Sequence, residues 1–241
     1  MSRHPSYLLV VGTDTGVGKT VATAALAAHH RTAGRSVSVA KPVQTGVLSG
    51  EPGDVDVVRE LAGVQDSYEL VRLAEPLAPE SAALRSGADL PPVTELARRI
   101  AATTAGADLV LVEGVGGVTV RLDLDGGTVL DLGRALQWHG AVEAVVVVRA
   151  GLGTLNHTAL TVDALRRADL AVSGLIVGSW PAEPDLAATV NRTDLPRLTG
   201  CPVLAAIPAG AGQLGAADFQ RQAATWFVPP PAASPPNGHS R

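Results

Sequence analysis

Lysine is scarce in this chain, and its scarcity draws attention to two positions. Of the 19 basic residues, only Lys19 and Lys41 are lysines, and all the others are arginines. A lysine kept against this bias indicates a site that needs a compact ammonium group rather than a wide, planar guanidinium group. Chance is the alternative explanation, since two lysines must fall somewhere. Because Lys19 lies in a motif of its own, the inference concerns mainly Lys41.

Further absences narrow the class of protein. Cys201 is the only cysteine, which excludes an intramolecular disulfide framework and favours a reducing compartment. The formal net charge of −4 gives no basic surface for nucleic acid. The longest apolar run, residues 141–148, contains Glu143 and is too short to span a bilayer. The first residues lack a secretion-signal pattern, so we expect a soluble, cytoplasmic protein without nucleic-acid or membrane partners.

A glycine-rich segment stands between an apolar run, residues 7–11, and an alanine-rich run, residues 21–28. These flanks predict a buried strand followed by a helix. The unpaired N–H groups and the positive dipole end of a helix N-terminus suit a polyanion, and glycines let the backbone approach phosphates. We therefore predict a phosphate-binding P-loop. Its residues are Gly12, Thr13, Asp14, Thr15, Gly16, Val17, Gly18, Lys19 and Thr20.

This loop departs from the usual P-loop spacing in one respect. Four residues normally separate the first glycine from Gly-Lys, but that position is Thr13 here, and Gly12 lies one residue earlier. An ordinary glycine-rich turn is the alternative interpretation. In a P-loop, Lys19 would neutralise the terminal phosphates of a nucleotide, and the Thr20 hydroxyl would bind Mg²⁺.

Strand and helix patterns alternate along the rest of the chain. This alternation predicts a single α/β domain of the P-loop NTPase type, with a mostly parallel twisted sheet and helices on both faces. We place the domain at residues 1–228 and a disordered, proline-rich tail at residues 229–241. Residues 67–91 are expected to be irregular, and two of the buried strands are expected to end at Val112 and Val177.

Side chains that could carry chemistry follow the predicted strands. Lys41 and Thr45 come after the second strand, and Glu113 follows the strand that ends at Val112. The carboxyl ends of parallel strands line one edge of a sheet, so these side chains are expected beside the P-loop. Glu113 stands where a P-loop enzyme keeps a further Mg²⁺ ligand, although a solvated acidic turn is the alternative. For Asp54, which opens a predicted helix, capping is the stronger interpretation and Mg²⁺ coordination the alternative.

Together these segments resemble the dethiobiotin synthetase family. The resemblance spans residues 7 to about 215, most of the chain. The matching segments are the loop at residues 12–20, Lys41-Pro42-Val43 with Thr45, an aspartate that opens the next helix, Glu113-Gly114-x-Gly116-Gly117, and Leu152-Gly153-x-x-Asn156-His157.

The resemblance implies an enzyme, an ATP-dependent cyclo-ligase of biotin biosynthesis. Its substrates would be 7,8-diaminononanoate and CO₂ or bicarbonate, and its product dethiobiotin. One amine takes up CO₂ to give a carbamate, and the carbamate attacks the γ-phosphate to form a mixed anhydride. The second amine then displaces phosphate and closes the ureido ring.

The resemblance also implies residue roles. Lys19, Lys41 and Thr15 would act on the carbamate and the γ-phosphate, and Mg²⁺ would be held by Thr20, Asp54 and Glu113. The substrate would contact Thr15, Lys41, Thr45, Gly116, Gly117, Leu152, Gly153, Leu155 and Asn156. The nucleotide would contact the P-loop, Glu113 and Gly116, and also Gly178, Ser179, Pro208, Ala209 and Gly210. In this family the turn at residues 152–156 comes from the partner subunit, which implies a homodimer.

One departure from the family concerns the nucleobase. Members often carry an asparagine after the strand that is expected here to end at Val177, and this chain has Gly178-Ser179 instead. A glycine offers only backbone contacts. We therefore expect the enzyme to use ATP and, with weaker discrimination among bases, other nucleoside triphosphates.

Three other functions compete with this interpretation. A partitioning or division-site ATPase of the deviant Walker type would carry a lysine five residues before Lys19, where this chain has Asp14. The synthetase half of a cobyrinate-type amidotransferase would need a glutaminase domain and a nucleophilic cysteine, and this chain has neither the length nor a suitable cysteine. A nucleotide-binding protein without chemistry would have little need for Lys41.

Overall fold

A computed structural model of the chain describes residues 5–227. The tail predicted at residues 229–241 lies outside the described residues. The strands are β1 (Ser6–Gly12), β2 (Val37–Lys41), β3 (Gln44–Thr45), β4 (Ser67–Glu69), β5 (Arg72–Leu73), β6 (Leu109–Gly117), β7 (Ala141–Val148), β8 (Ala171–Trp180) and β9 (Val203–Pro208). The helices are α1 (Lys19–Thr32), α2 (Asp54–Ala62), α3 (Pro79–Ser86), α4 (Val93–Thr103), α5 (Val129–Leu136), α6 (Thr154–Arg167), α7 (Leu186–Thr199) and α8 (Ala216–Trp226).

Within residues 5–227, seven strands form one parallel sheet in the order β4-β2-β6-β1-β7-β8-β9. Strands β3 and β5 form a small parallel pair of their own. Strand β1 lies between β6 and β7, so the loop that follows it opens at the middle of the carboxyl edge. The predicted parallel α/β fold is confirmed.

Alternate residues of the central strands pack against opposite helical layers. In β1, Val10 lies in the apolar core that also contains Leu26 of α1 and Phe219 of α8. Its neighbours Leu9 and Val11 lie in the core on the other face, with residues from α4, α5, α6 and α7. Both faces of the sheet are therefore covered, which explains why these strands are almost continuously apolar. No helix within residues 5–227 is long and apolar enough to cross a membrane.

The expected bounds of two strands were wrong, because each strand pairs beyond its apolar run. Strand β6 does not end at Val112 but continues through Gly117, which pairs with Gly12 of β1 after an irregularity in the register. Strand β8 does not end at Val177 but continues to Trp180, which pairs with Pro208. Because these strand ends consist largely of glycines and polar residues, a pattern of hydrophobicity does not predict their pairing.

The sequence predicted that residues 67–91 are irregular, and this prediction was wrong. They contain β4, β5 and α3. Strand β4 is only three residues long and partly exposed, and it forms by pairing with the edge of β2, Val39 opposite Ser67. Such a strand depends on its partner rather than on a local apolar run, so periodicity alone does not detect it.

Candidate active site

A cleft of about 850 Å³ opens at the carboxyl edge of the sheet. Its walls come from the loop after β1, the end of β2, the first residue of α2, the end of β6 and residues 76–78. The cleft brings together many of the predicted site residues. They are Thr15, Gly16, Gly18, Lys19, Thr20, Lys41, Thr45, Asp54, Glu113 and Gly116.

The P-loop is fixed against strand β8 by two glycines in close contact. Gly18 precedes α1 with φ of 95°, in the left-handed region. A Cβ atom on Gly18 would lie 2.7 Å from the Gly178 carbonyl oxygen, and one on Gly178 would lie 2.1 Å from the Val17 carbonyl oxygen. Both positions therefore require glycine, and Gly178 supports the loop by its lack of a side chain.

Lys19 reaches across the cleft from the first residue of α1. Its Nζ donates to the carbonyl oxygens of Asp14, at 2.9 Å, and Gly116, at 3.1 Å. Burial and the nearby charge of Lys41 lower the pKa of Lys19 to about 8, against the opposing effect of Glu113, Asp54 and Asp14. Lys19 therefore loses its charge at a lower pH than a solvated lysine does.

Lys41 lies deeper, at the end of β2, with a side chain that is 4% exposed. Its Nζ lies 2.6 Å from Asp54 Oδ2, 2.8 Å from Glu113 Oε1 and 3.2 Å from the Gly114 carbonyl oxygen. Burial alone would lower the pKa of Lys41, but the charges of Glu113 and Asp54 raise it overall. Lys41 therefore keeps its proton to a higher pH than Lys19 does.

Glu113 is the carboxylate around which the site is assembled. Its side chain is 1% exposed, and it accepts from Thr20 Oγ1 at 3.0 Å and Lys41 Nζ through Oε1. Its other oxygen, Oε2, accepts from the buried Thr23 hydroxyl at 2.9 Å. The sequence analysis missed Thr23, although its spacing from Lys19 and Thr20 puts it on the same side of α1.

Asp54 does not cap helix α2, contrary to the stronger sequence interpretation. Gly53 is the N-cap residue, and its N–H donates to the Asp56 carboxylate at 2.8 Å. Asp54 is the first helical residue, and its carboxylate pairs with Lys41 instead. Burial would raise the pKa of Asp54, but the Lys41 charge lowers it overall. Its backbone N–H donates to Gln44 Oε1 at 2.9 Å, a partly buried contact that the sequence did not indicate.

The donor set fits a Mg²⁺ ion. Thr20, Asp54 and Glu113 supply a hydroxyl and two carboxylates around one point, and the Lys41 ammonium lies between the carboxylates as a cation. Among residues 5–227 no group of three or more His, Cys, Asp or Glu side chains could hold a metal. Two protein carboxylates are sufficient for Mg²⁺, which keeps several waters and takes its remaining ligands from substrate phosphates.

Other P-loop residues face away from the cleft. The Thr13 N–H donates to the Val147 carbonyl oxygen at 3.1 Å. The Asp14 carboxylate pairs with Arg149 Nη2 at 2.9 Å, and this nitrogen also donates to the Thr15 carbonyl oxygen at 3.2 Å. Arg149, which the sequence analysis did not single out, ties the tip of the loop to the end of β7.

The other residues predicted to contact the nucleotide lie outside this cleft, at the ends of β8 and β9. The Ala209 N–H donates to the Trp180 carbonyl oxygen at 2.7 Å, which joins the two strand ends. Gly178 is buried against the P-loop and Ser179 is exposed. Pro208, Ala209 and Gly210 precede Gly212, where an added Cβ atom would lie 3.0 Å from Val21 of α1. The structure thus places these segments beside the start of α1.

The turn assigned to the substrate is not part of the cleft within one chain. Gly153 precedes α6 with φ of 87°, and Leu155 and Asn156 lie in the first turn of that helix. Leu152, just before it, is 88% exposed. Gly117, in contrast, pairs with Gly12 at the end of β6 and lies beside the P-loop.

Comparison with known proteins supports the family resemblance found in the sequence. A family model described as an AAA domain matches residues 6–212. The ATP-dependent dethiobiotin synthetase BioD of Rhodococcus jostii is 53% identical over 222 residues, which cover 92% of this chain and 94% of that protein. The protein of the same name from a Parafrankia species is 51% identical over 224 residues, with 93% and 92% covered.

Solved structures with the same fold are more distant in sequence. The septum site-determining protein MinD of Pyrococcus horikoshii, solved with Mg-ADP, aligns with a TM-score of 0.56 at 21% identity, over 92% of each chain. The cell division ATPase MinD of Pyrococcus furiosus aligns with a TM-score of 0.54 at 22% identity, over 92% of this chain and 97% of that one. These likenesses show the fold alone, whereas identity of about half over nearly the whole length shows the family: this chain belongs to the ATP-dependent dethiobiotin synthetases.

Proposed function

We propose that this chain joins 7,8-diaminononanoate and CO₂ into the ureido ring of dethiobiotin at the expense of ATP. It is an ATP-dependent ligase of biotin biosynthesis, as its family membership implies. The observation that carries the proposal is the position of its two lysines. Lys19 and Lys41 line one cleft, and their Nζ atoms donate to Gly116 and Gly114, two carbonyl groups at the same end of β6.

This arrangement suits a phosphoryl transfer to a carbamate. Negative charge builds on the oxygens of the transferring phosphoryl group, and fixed ammonium groups in a cleft stabilise it without reorganisation of water. Lys19 would contact the β- and γ-phosphates and Lys41 the γ-phosphate and the carbamate. Thr15 and Thr45, also in the cleft lining, would donate hydrogen bonds to the phosphate or to an amine.

Part of the cleft lining is apolar. It includes Pro76, Leu77, Ala78, Val115 and Val120. An aliphatic chain between reacting amines and a carboxylate would lie against such a wall, since burial of each methylene group contributes about 0.8 kcal/mol. The combination of ammonium groups and apolar surface supports a substrate with a polar end and a long hydrocarbon chain.

We propose that Thr20, Asp54 and Glu113 hold the Mg²⁺ that accompanies the nucleotide. When bound, the ion would neutralise charge on the β- and γ-phosphate oxygens. Thr23 and Gln44 would orient the two carboxylates through their hydrogen bonds to Glu113 and to the backbone of Asp54. We also propose a cytoplasmic location, in which the buried and unpaired Cys201 would stay reduced.

We propose a homodimer in which the turn at residues 152–156 completes the substrate site of the partner subunit. Five large apolar side chains on or next to α6 and α7 are exposed, which supports a surface that is covered by another chain. They are Leu152 at 88%, Leu160 at 61%, Leu186 at 81%, Val190 at 46% and Leu198 at 51%. Leu186 and Val190 are one helical turn apart on α7, and Asn156 and Leu160 are one turn apart on α6, so each pair shares a face of its helix. Leu152 lies two residues before α6.

A further proposal concerns the nucleobase. Strand β8 carries Gly178 and Ser179 near its end and is followed by Pro181 and Ala182. None of these residues has a side-chain amide that could read an adenine edge. Gly178 cannot acquire one without displacing the P-loop, because of its contact with Val17. We therefore propose that the enzyme accepts nucleoside triphosphates other than ATP.

The alternative of a partitioning or division-site ATPase shares the fold but is not favoured. The residue five positions before Lys19 is Asp14, whose carboxylate pairs with Arg149, so an acidic side chain replaces the lysine that such ATPases need. A passive nucleotide-binding protein would have no use for a buried ammonium group beside the phosphate site.

The direct test is product formation. The purified protein is incubated with diaminononanoate, bicarbonate, Mg²⁺ and ATP, and the mixture is analysed by mass spectrometry. The proposal expects a cyclic urea whose mass equals that of the diamine plus CO₂ minus one water, with ADP and phosphate formed in equal amounts. ATP hydrolysis without the cyclic product would contradict it.

A further inference from the structure

Each N–H group of the Lys41 ammonium has an acceptor within the protein. An ammonium group carries three N–H donors. At Lys41 these face Asp54 Oδ2 at 2.6 Å, Glu113 Oε1 at 2.8 Å and the Gly114 carbonyl oxygen at 3.2 Å. All three partners belong to the protein, so in this state Lys41 is fully engaged by its own site.

This engagement conflicts with the role that the proposed function gives to Lys41. To stabilise a phosphoryl or carbamate oxygen, Lys41 must first release at least one of its partners. Two of these partners, Asp54 and Glu113, are the carboxylates that would bind Mg²⁺. A metal ion and the ammonium group would therefore compete for the same oxygen atoms.

We infer that Lys41 is the resident counter-ion of the Asp54–Glu113 pair, and that a divalent cation displaces it from these carboxylates and thereby frees its ammonium group for the reacting substrate. The inference rests on the metal-binding residues of the proposed function. It adds an order of events: the cation binds first, and the ammonium group becomes available only as a consequence.

The surroundings of the three side chains support an exchange of cations. Glu113 and Lys41 are almost fully buried, at 1% and 4%, but the Asp54 side chain is 31% exposed and lines the cleft. A cation can therefore approach the pair from the side of Asp54. Thr20 donates to Glu113 Oε1, the same atom that Lys41 contacts. The hydroxyl proposed to bind the metal therefore already lies beside the oxygen atom that Lys41 would release. The flexible four-carbon stem of lysine lets its ammonium group move towards the cleft.

Lys19 offers a matched control in the same cleft. It has the same charge and the same side chain, but its Nζ donates to the carbonyl oxygens of Asp14 and Gly116 rather than to a carboxylate. Lys19→Met removes a neighbouring positive charge and leaves the Lys41 contacts in place. Lys41→Met removes the positive charge that contacts the two carboxylates directly. A difference between the two variants shows that the ammonium group in contact with the carboxylates, rather than any positive charge in the cleft, opposes the metal.

The experiment measures binding of Mn²⁺, as a spectroscopic substitute for Mg²⁺, to the nucleotide-free wild type and to both variants by electron paramagnetic resonance. A competitor that occupies a site weakens apparent affinity by the fraction of protein that is competent. We therefore expect Lys41→Met to bind Mn²⁺ at least about tenfold more tightly than Lys19→Met. Equal affinities in the two variants, or no binding in any of them, would overturn the inference.

Loss of Lys41 leaves two carboxylates without their cationic partner, which lowers the stability of the metal-free variant. A variant that folds only when Mn²⁺ or Mg²⁺ is added would support the inference, because the ion then replaces the ammonium group. A second measurement uses the wild type, whose sequence has only two lysines. Reductive methylation followed by mass spectrometry should modify Lys41 faster after addition of Mg²⁺, and an unchanged rate would contradict displacement. Neither measurement involves turnover, so their failure is distinguishable from failure to form the cyclic urea.

Discussion

Lys19 and Lys41 lie in one cleft but in opposite electrostatic settings. Lys41 is held between two carboxylates that keep it charged, whereas Lys19 contacts backbone carbonyl groups and has a pKa lowered to about 8. In the sequence, the P-loop motif singled out Lys19, and the scarcity of lysine singled out mainly Lys41. Their different settings were not predictable, because they depend on Asp54 and Glu113, which are remote along the chain.

The lowered pKa of Lys19 predicts a pH dependence of nucleotide binding. In the nucleotide-free protein Lys19 is charged below about pH 8 and neutral above it. A triphosphate binds the charged form, so its affinity should be highest below that pH and fall by up to about tenfold per pH unit above it. The measurement is the Kd of a non-hydrolysable triphosphate from about pH 7 to about pH 10. Lys19→Met should show weaker binding with little pH dependence, and a wild-type Kd that stays constant over this range would contradict the prediction.

Other residues of the site could not be predicted from local patterns. Thr23 lies in an alanine-rich helix and Gln44 after a short strand, and each matters only through a side chain that the fold brings to it. Asp54 was interpreted as a helix cap because aspartate favours that position. Gly53 and Asp56 perform the capping instead, which leaves the Asp54 carboxylate available for the cleft.

At the scale of elements, the strand–loop–helix units around the P-loop were predictable and the ends of β6 and β8 were not. The apolar runs predict strands because both sheet faces are covered. The pairing of Gly117 with Gly12, and of Trp180 with Pro208, extends these strands past their apolar residues. The extension of β8 puts Gly178 and Ser179 within the strand, and Pro181 and Ala182 follow it.

The ends of β8 and β9 lead to a prediction about nucleotide selectivity. A site with dedicated hydrogen bonds to a base rejects a wrong base by about 10⁴-fold or more, whereas a site that lacks them discriminates by roughly 10- to 200-fold. We expect kcat/KM values for CTP and GTP within that smaller range of the value for ATP. The measurement is dethiobiotin formation with each triphosphate. Activity with ATP alone would contradict the prediction and would mean that backbone groups near Ala209 read the base.

At the scale of the whole molecule, the parallel sheet explains why residues remote in sequence form one site. Each strand delivers its following loop to the same edge, and β1 at the middle places the P-loop between Glu113 of β6 and Arg149 after β7. The turn before α6 opens at this edge as well, but it does not line the cleft of its own chain. A second subunit would supply it.

The proposed dimer predicts that charge on the exposed apolar surface of α6 and α7 separates the subunits. Leu160→Asp and Leu186→Asp place a carboxylate where the proposal buries leucine, so each should convert a dimer into a monomer in light scattering. Turnover should fall while the Kd for nucleotide changes little, because the P-loop belongs to a single chain. Trp138→Asp is the matched control, since Trp138 is 90% exposed but precedes β7 at the opposite edge of the sheet. A wild type that is monomeric yet fully active would contradict the prediction.

The central claim is that two ammonium groups act together on the phosphoryl group transferred to the carbamate, and Lys41→Ala tests it most directly. Removal of one fixed donor to a developing negative charge typically lowers kcat by about 100- to 1000-fold. The account predicts a loss of this size in dethiobiotin formation by a variant that is shown to be folded, with a nucleotide Kd close to that of the wild type. Lys19→Ala, in contrast, should lower turnover and also weaken nucleotide binding. An equal loss of turnover and nucleotide affinity in Lys41→Ala, or turnover that is unchanged, would contradict the account.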